Sequence, residues 1–200
     1  AGEDLLPVIE IRDDQGNVIT SGRDATANVT LGILSGSGVL GGTNSKAAVA
    51  GVITWAGADN LNIDLVGDKT FRVTKEDSSG SGGVASFTED SAKFEIIHNI
   101  ANQLVFTTQP TDPTTAGLDL LPVVQVQDTH GNIITSGLDS TADISLTIQS
   151  GTGVLAGTAT VKAVSGVATW VDGDNLAINL VGFKTLQAEK ENIGVGTITQ

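Results

Sequence analysis

Aspartates beside predicted turns are the residues of this sequence best placed to do chemistry. Asp13 and Asp14 precede a Gly-Asn pair, Asp128 precedes the same pair in the second half, and Asp172 and Asp174 flank a glycine. Ca²⁺ takes about six to eight oxygen ligands, which several such groups can share. Two interpretations stay open. Each aspartate caps its own turn, or some of them bind Ca²⁺ together with a neighbouring domain.

The remaining candidates for catalysis form no pattern. The two histidines, His98 and His130, fall in a predicted linker and a turn, and His130 corresponds to Gln15 in the other half. No serine has the context of a nucleophile elbow, and no glycine-rich stretch carries the lysine of a phosphate-binding loop. Cysteine is absent, which excludes disulfides and thiolate metal sites. The sequence predicts a protein that is not an enzyme and has no cofactor, calcium being the one ion left open.

Charge and hydropathy exclude two further classes. The formal net charge is −13 with only ten lysines and arginines, and these are scattered. Binding to nucleic acid needs clustered basic residues, so it is not expected. No run approaches the roughly 20 apolar residues of a membrane-spanning helix.

An internal repeat organises the chain. Leu5-Leu6-Pro7-Val8 returns 115 residues later as Leu120-Leu121-Pro122-Val123, and Thr54-Trp55 returns as Thr169-Trp170. About 43 of the 77 aligned pairs beginning with Ala1 and Ala116 are identical, without a gap. The chain therefore contains two copies of one unit.

Each copy has the pattern of short β-strands. Across residues 26–34 and 141–149, apolar and polar side chains alternate, which puts one face of each strand in a core and the other in water. Further β-rich runs are separated by turn residues and lie at 8–12, 47–55, 61–65 and 70–74, and three of them have equivalents at 123–127, 161–170 and 185–189. The sequence predicts an all-β protein of two tandem Ig-like antiparallel β-sandwiches.

Two recurring residue types have structural and functional interpretations. Trp55 and Trp170 are expected in the core, with a ligand-stacking platform as the alternative. The lysines that recur in both copies are expected on solvated strand faces, with cross-strand partners. These lysines are Lys69, Lys75, Lys184 and Lys190.

The segment between the copies occurs only once. Residues 92–97 are predicted to be a closing strand for copy one, and residues 103–108 an opening strand for copy two. The apolar side chains of these two strands are the candidates for assembly between units: Phe94, Ile96, Leu104, Val105 and Phe106.

These strands set the expected domain boundary. We expect repeat 1 over 1–99, lacking an opening strand, and repeat 2 over 100–200, lacking a closing strand. Two explanations stay open: the sequence is an excerpt of a longer array, or a neighbouring subunit supplies the strand by β-strand addition.

Several motifs resemble bacterial Ig-like surface repeats, including the invasin/intimin-like domains and related modules of S-layer proteins and giant adhesins. They are Leu104-Val105-Phe106-Thr107-Thr108-Gln109-Pro110, Gly151-Thr152-Gly153-Val154-Leu155-Ala156-Gly157-Thr158 and Gly166-Val167-Ala168-Thr169-Trp170. One departure is tryptophan at 55 and 170, where phenylalanine is common in such repeats. The resemblance implies an Ig-like sandwich, an extracellular location at the cell surface, and a role as stalk, lattice or adhesin segment.

Three hypotheses for function follow. The first is a structural subunit or segment of a surface filament or S-layer-like assembly, joined to copies of itself or to neighbouring Ig-like repeats by strand complementation. The second is a spacer or binding module of a long adhesin. The third is a carbohydrate-binding sandwich that uses Trp55 or Trp170, which the aromatic content of only 4% weakens.

Overall fold

The computed structural model describes residues 1–76 and 86–190, and the backbone of 198–199. Backbone contacts divide the chain into unit 1, Ala1–Ile97, and unit 2, His98–Gln200. Both units consist of antiparallel strands joined by tight turns and short 3-10 turns. The predicted all-β fold of two tandem Ig-like sandwiches is confirmed.

Unit 1 has one large sheet and one small sheet around its core. The large sheet has the order β4-β2-β7-β8, and β9 pairs with the first residues of β7. The small sheet contains β1 and β5, and a further pair is β3 with β6. The strands are β1 (Val8–Glu10), β2 (Asn28–Ser35), β3 (Leu40–Gly41), β4 (Ser45–Ala47), β5 (Val52–Thr54), β6 (Asn62–Ile63), β7 (Gly67–Lys75), β8 (Phe87–Asp90) and β9 (Phe94–Ile96).

Unit 2 repeats this plan with one strand added to the small sheet and, among the residues described, without a counterpart of β9. Its sheets have the orders β14-β12-β17-β18 and β10-β11-β15, and β13 pairs with β16. The strands are β10 (Gln103–Thr108), β11 (Val123–Gln127), β12 (Asp143–Ser150), β13 (Leu155–Ala156), β14 (Thr160–Lys162), β15 (Val167–Thr169), β16 (Ala177–Ile178), β17 (Thr185–Lys190) and β18 (Ile198–Thr199).

Alternating side chains build both cores. In β2, Val29 and Leu31 are buried, and in β12 the equivalent Ile144 and Leu146 are buried. Short 3-10 turns connect the strands at Asp24–Thr26, Gly57–Asp59, Leu138–Thr141 and Asp172–Asp174. The two-residue alternation predicted from the sequence is therefore the alternation that faces each core.

The register of the central strands is the same in both units. Val29 lies opposite Lys75 in unit 1, and Ile144 lies opposite Lys190 in unit 2. Each pair of strands also has a bulge at its other end, before Ser35 and before Ser150. A one-residue slip would turn every core side chain outward, so the shared register shows that both copies specify the same core.

One strand prediction is wrong. Residues 47–55 and 161–170 were expected to be continuous strands, but each divides into two strands that lie in different sheets. The division occurs at Ala50-Gly51, where both residues have positive φ and Val49 and Val52 exchange backbone hydrogen bonds. Ser165 and Gly166 form the same turn in unit 2. Alanine and serine are uncommon at the first position of such a turn, which is why composition did not reveal it.

Glycine is required where two turns meet. Gly42 has a φ of +78°, and a Cβ atom built there would lie 2.1 Å from the carbonyl oxygen of Asn60. Gly157 repeats this geometry against Asn175. A backbone oxygen cannot move aside as a flexible side chain can, so this repeated glycine fixes the close approach of β3 and β6, and of β13 and β16.

None of the described residues forms a helix long and apolar enough to cross a membrane.

Candidate functional site

The aspartate of each Asp-x-x-Gly-Asn segment caps its own turn. The Asp13 carboxylate accepts hydrogen bonds from the backbone N–H groups of Gln15 and Asn17, at 3.0 and 2.8 Å, and from the Asn17 side chain. These bonds, chiefly that of the Asn17 side chain, lower the pKa of Asp13 below its ordinary value. The carboxylate therefore acts as an Asx-type cap in an exposed turn.

Asp128 occupies the equivalent turn but is buried. Its carboxylate accepts the N–H groups of His130 and Asn132, at 2.9 Å each, and also that of Asn99, at 3.0 Å. Burial alone would raise the pKa of Asp128, but the N–H donors of Asn99, Asn132 and His130 outweigh it and hold the pKa below its ordinary value. Asp128 thus ties the start of unit 2 to the turn after β11.

Of the other calcium candidates, Asp14 lies in the Asp13 turn, and Asp172 and Asp174 lie in the 3-10 turn of unit 2. Asp174 accepts the backbone N–H of Val171 at 2.8 Å, Asp172 begins the same 3-10 turn, and Asp14 is exposed. Over 1–76 and 86–190, no three carboxylate or histidine side chains come together in a way that could hold a metal ion. Calcium binding by Asp13, Asp14, Asp128, Asp172 or Asp174 stays a prediction.

The histidine nearest to a hydroxyl group has the wrong arrangement for a catalytic triad. His98 Nε2 lies 2.9 Å from Ser136 Oγ and also accepts the Ser136 backbone N–H, at 3.3 Å. Its Nδ1 lies 2.9 Å from the carbonyl oxygen of Asn99, the position at which a triad places a carboxylate. The contact fastens the first residues of unit 2 to the turn at Ser136.

Both tryptophans are core residues. Trp55 and Trp170 are each 1% exposed, and their indole N–H groups donate to the carbonyl oxygens of Thr43 and Thr158, at 2.7 and 3.0 Å. A ring enclosed in this way cannot stack on a sugar from solution. The core interpretation of the tryptophans is confirmed, and the stacking alternative is wrong.

The structure instead reveals a buried ion pair that recurs in both units. The Lys75 ammonium lies 2.8 Å from Asp24, with side chains 1% and 9% exposed. The Lys190 ammonium lies 2.7 Å from Asp139, with side chains 0% and 16% exposed. The pair links the last core position of β7 or β17 to the 3-10 turn that precedes β2 or β12.

The prediction that these lysines lie on solvated faces is wrong. Lys69 is also 1% exposed, and its ammonium donates to the carbonyl oxygens of Val66 and Gly67. Lys184 makes the equivalent bonds and is half-buried. The sequence did contain a sign that Lys75 is buried. Lys75 continues the inward alternation of Phe71 and Val73, and both the lysine and its aspartate partner recur 115 residues later.

The strands predicted for assembly lie inside their own units. Leu104 is fully buried in the core of unit 2, and Phe106 packs against that core. Ile96 is 8% exposed in the core of unit 1, and the Phe94 ring lies 4.9 Å from that of Phe71. Val105 is half-buried and lies opposite Gln125.

An apolar groove lies at the open edge of β1 in unit 1. It has a volume of about 310 Å³ and runs between β1 on one side and β7 and β8 on the other. Its walls include Ile9, Ile11, Phe71, Val73 and Phe87. Among the described residues, β1 pairs only with β5, so its outer edge carries no strand.

Comparison with known proteins yields only distant structural likenesses. No protein-family model and no curated protein matches the chain. The D0-D1 domain of intimin is 17% identical, with 97% of this chain and 88% of that chain covered and a TM-score of 0.32. The apo structure of Bacteroides uniformis beta-glucuronidase 3 is 13% identical, with 90% of this chain and 22% of that chain covered and a TM-score of 0.36. At such identities and TM-scores, the function has to be argued from the residues of this chain.

Removing one partner of the buried pair is expected to destabilise unit 2 strongly. Asp139→Ala leaves the buried Lys190 ammonium without its carboxylate, so the unfolding free energy should fall by about 3–5 kcal/mol in urea titrations. The control is Lys162→Met, whose pair with Asp143 is exposed and should contribute less than about 1 kcal/mol. The double variant Asp139→Leu/Lys190→Met should recover most of the loss. Equal effects of Asp139→Ala and Lys162→Met would contradict the assignment.

The two capping aspartates should differ in their effect on stability. Asp128→Ala leaves buried N–H donors unsatisfied and should cost about 1–3 kcal/mol, whereas Asp13→Ala removes an exposed cap and should cost less. The pKa of folded Asp128 lies below its ordinary value of 3.8. Its contribution is therefore complete above that value and is lost as the pH falls through the lower folded pKa. Thermal unfolding of wild type and Asp128→Ala between pH 7 and pH 2 tests this, and a difference in stability that grows on acidification would refute it.

Proposed function

We propose that this chain is an extracellular structural protein, a segment or subunit of a bacterial surface filament or S-layer-like assembly built from Ig-like repeats. The observation that carries the proposal is what the two copies share. They preserve the core register, the turn at Gly42 and Gly157, and the buried lysine–aspartate pair. These features preserve the three-dimensional structure of each unit. Tandem repetition of such units builds an extended array.

The features that differ between the copies point the same way. His130 corresponds to Gln15, and Asp172 corresponds to Gly57. A catalytic or metal-binding role would give these side chains a reason to recur with the fold, and they do not recur. The features that the two copies share therefore concern the stability of the unit and not chemistry on its surface.

Charge suits an exposed array. A net charge of −13 on 200 residues keeps neighbouring repeats soluble and makes unspecific contacts between them repulsive. Assembly in such a protein then depends on directed contacts, such as pairing of strand edges, which supply hydrogen bonds in a fixed register. Strand complementation between subunits is the mode of contact that we propose.

A spacer or binding module in a long adhesin is the second candidate, favoured by the same tandem repeat. The two candidates differ in whether the unit itself makes contacts. Burial of Trp55 and Trp170 leaves the carbohydrate-binding alternative without its platform.

Self-association of the purified chain tests the proposal. We expect size-exclusion chromatography and negative-stain electron microscopy to show fibres, sheets or discrete oligomers that grow with protein concentration, and the same samples in Ca²⁺ and in chelator test the metal. Loss of the assemblies in chelator would add calcium to the mechanism. A monodisperse monomer at every concentration in both buffers would contradict self-assembly and leave the spacer role.

A further inference from the structure

A lysine ammonium occupies an oxygen-lined position in unit 1. The ammonium of Lys46, on β4, donates to the carbonyl oxygen of Thr54 at 2.8 Å and to the carboxylate of Asp59 at 2.7 Å. The hydrogen bond from this ammonium lowers the pKa of Asp59 below its ordinary value, because it stabilises the ionised carboxylate. The last residue of β5 and the 3-10 turn that follows it therefore form a position for a cation.

Unit 2 keeps both oxygen donors in a matching backbone framework. By the 115-residue spacing, Thr169 corresponds to Thr54. Asp174 corresponds to Asp59 by the same spacing. The Asp174 carboxylate accepts the N–H of Val171 at 2.8 Å, and the Asp59 carboxylate accepts the equivalent N–H at the same distance. The backbone carbonyl of each aspartate also accepts a threonine N–H at 2.8 Å. The carbonyl and the carboxylate of the cation position thus recur together.

The lysine is the part of this arrangement that unit 2 replaces. Val161 stands at the position of Lys46, and it lies opposite Ile144 in the register that β4 and β2 have in unit 1. A valine has no Cδ, Cε or Nζ atom, so it brings no ammonium to the two oxygens. The neighbouring Lys162 is directed elsewhere, because its ammonium lies 3.3 Å from the carboxylate of Asp143.

These replacements make the corner of unit 2 around the 3-10 turn more negative. Relative to unit 1, one positive charge is lost at Val161, and one negative charge is gained at Asp172, which corresponds to Gly57. Carboxylate and carbonyl oxygens are the ligands that Ca²⁺ takes in proteins. A cation from solution would restore the balance of charge that Lys46 provides in unit 1.

We propose that unit 2 binds one Ca²⁺ at the position equivalent to the Lys46 ammonium, with the Asp174 carboxylate and the Thr169 carbonyl oxygen as its protein ligands. Water completes the coordination shell, because Ca²⁺ takes about six to eight oxygens. The site therefore needs no cluster of three acidic side chains. It rests on oxygens that recur in both units, and Asp172 adds only negative charge nearby.

Few protein ligands make such a site weak. We expect a dissociation constant of about 1 mM, at the weak end of the range for extracellular calcium modules. The site goes beyond the assembly function proposed above and does not depend on it. A chain that binds Ca²⁺ here and stays monomeric would keep the site and reject self-assembly.

Amide NMR spectra of the intact chain, titrated with CaCl₂ to about 10 mM, test the site at concentrations well above that constant. We expect the amides of Val171 and Asp174 to shift and to approach saturation. The equivalent amides of unit 1, Ala56 and Asp59, should stay in place, because the Lys46 ammonium already fills their site. Amides of Val171 and Asp174 that do not respond at the highest concentration would overturn the proposal.

Two reciprocal substitutions separate this site from the other carboxylates of the chain. Val161→Lys supplies the ammonium within unit 2 and should abolish the calcium response of Val171. Lys46→Val removes the ammonium from unit 1 and should give Ala56 a calcium response that the wild type lacks. A response of Val171 that persists in Val161→Lys, or a Lys46→Val chain that gains none at Ala56, would contradict the assignment.

Matched controls keep packing and general charge out of the result. Val161→Met lengthens the side chain without a charge and should retain the calcium response of Val171. Asp143→Asn removes a carboxylate from the neighbouring strand β12 and should also leave that response unchanged. Loss of the response in Asp143→Asn would place the ion at Asp143 and overturn the proposed site.

Discussion

The pairing and covering of strands is the constraint on which the rest of this structure depends. A strand with one apolar face is stable only when that face meets another sheet and its polar edges find partners. β12 meets both conditions, because β14 and β17 lie on its two edges and its inner side chains are buried. The turns, the glycines at close approaches and the register bulges are the means by which both copies satisfy this constraint.

The buried lysine–aspartate pair fits the same requirement. Lys75 and Lys190 occupy the last inward positions of β7 and β17, where a solvated residue would open the end of the core. The pairing with Asp24 or Asp139 neutralises the charge and fastens the 3-10 turn before β2 or β12. Such pairs contribute little net stability compared with an apolar core, but burying either charge without its partner is costly. We infer that the pair specifies register at this end of the sandwich.

The sequence predicted the fold from its repeat and its two-residue alternation, because both follow from local geometry. It did not predict that the expected strand 47–55 divides at Ala50-Gly51, because alanine rarely adopts the positive φ found at residue 50. It placed Lys75 in water, because a charged residue is normally exposed and its partner lies 51 residues away in the chain. The strands Gln103–Thr108 and Phe94–Ile96 were predicted from the sequence. The groove beside β1 became visible only in the three-dimensional structure.

Hydrogen exchange at matched amides tests most directly whether the two units differ by one covering strand. The amides of Ile11 and Val126 both donate to the neighbouring turn and should be protected alike. The amide of Gln125 faces β10 and should be protected, whereas that of Glu10 faces the groove and should exchange faster by orders of magnitude in the isolated chain. Equal protection of Glu10 and Gln125 in the monomer would contradict the account.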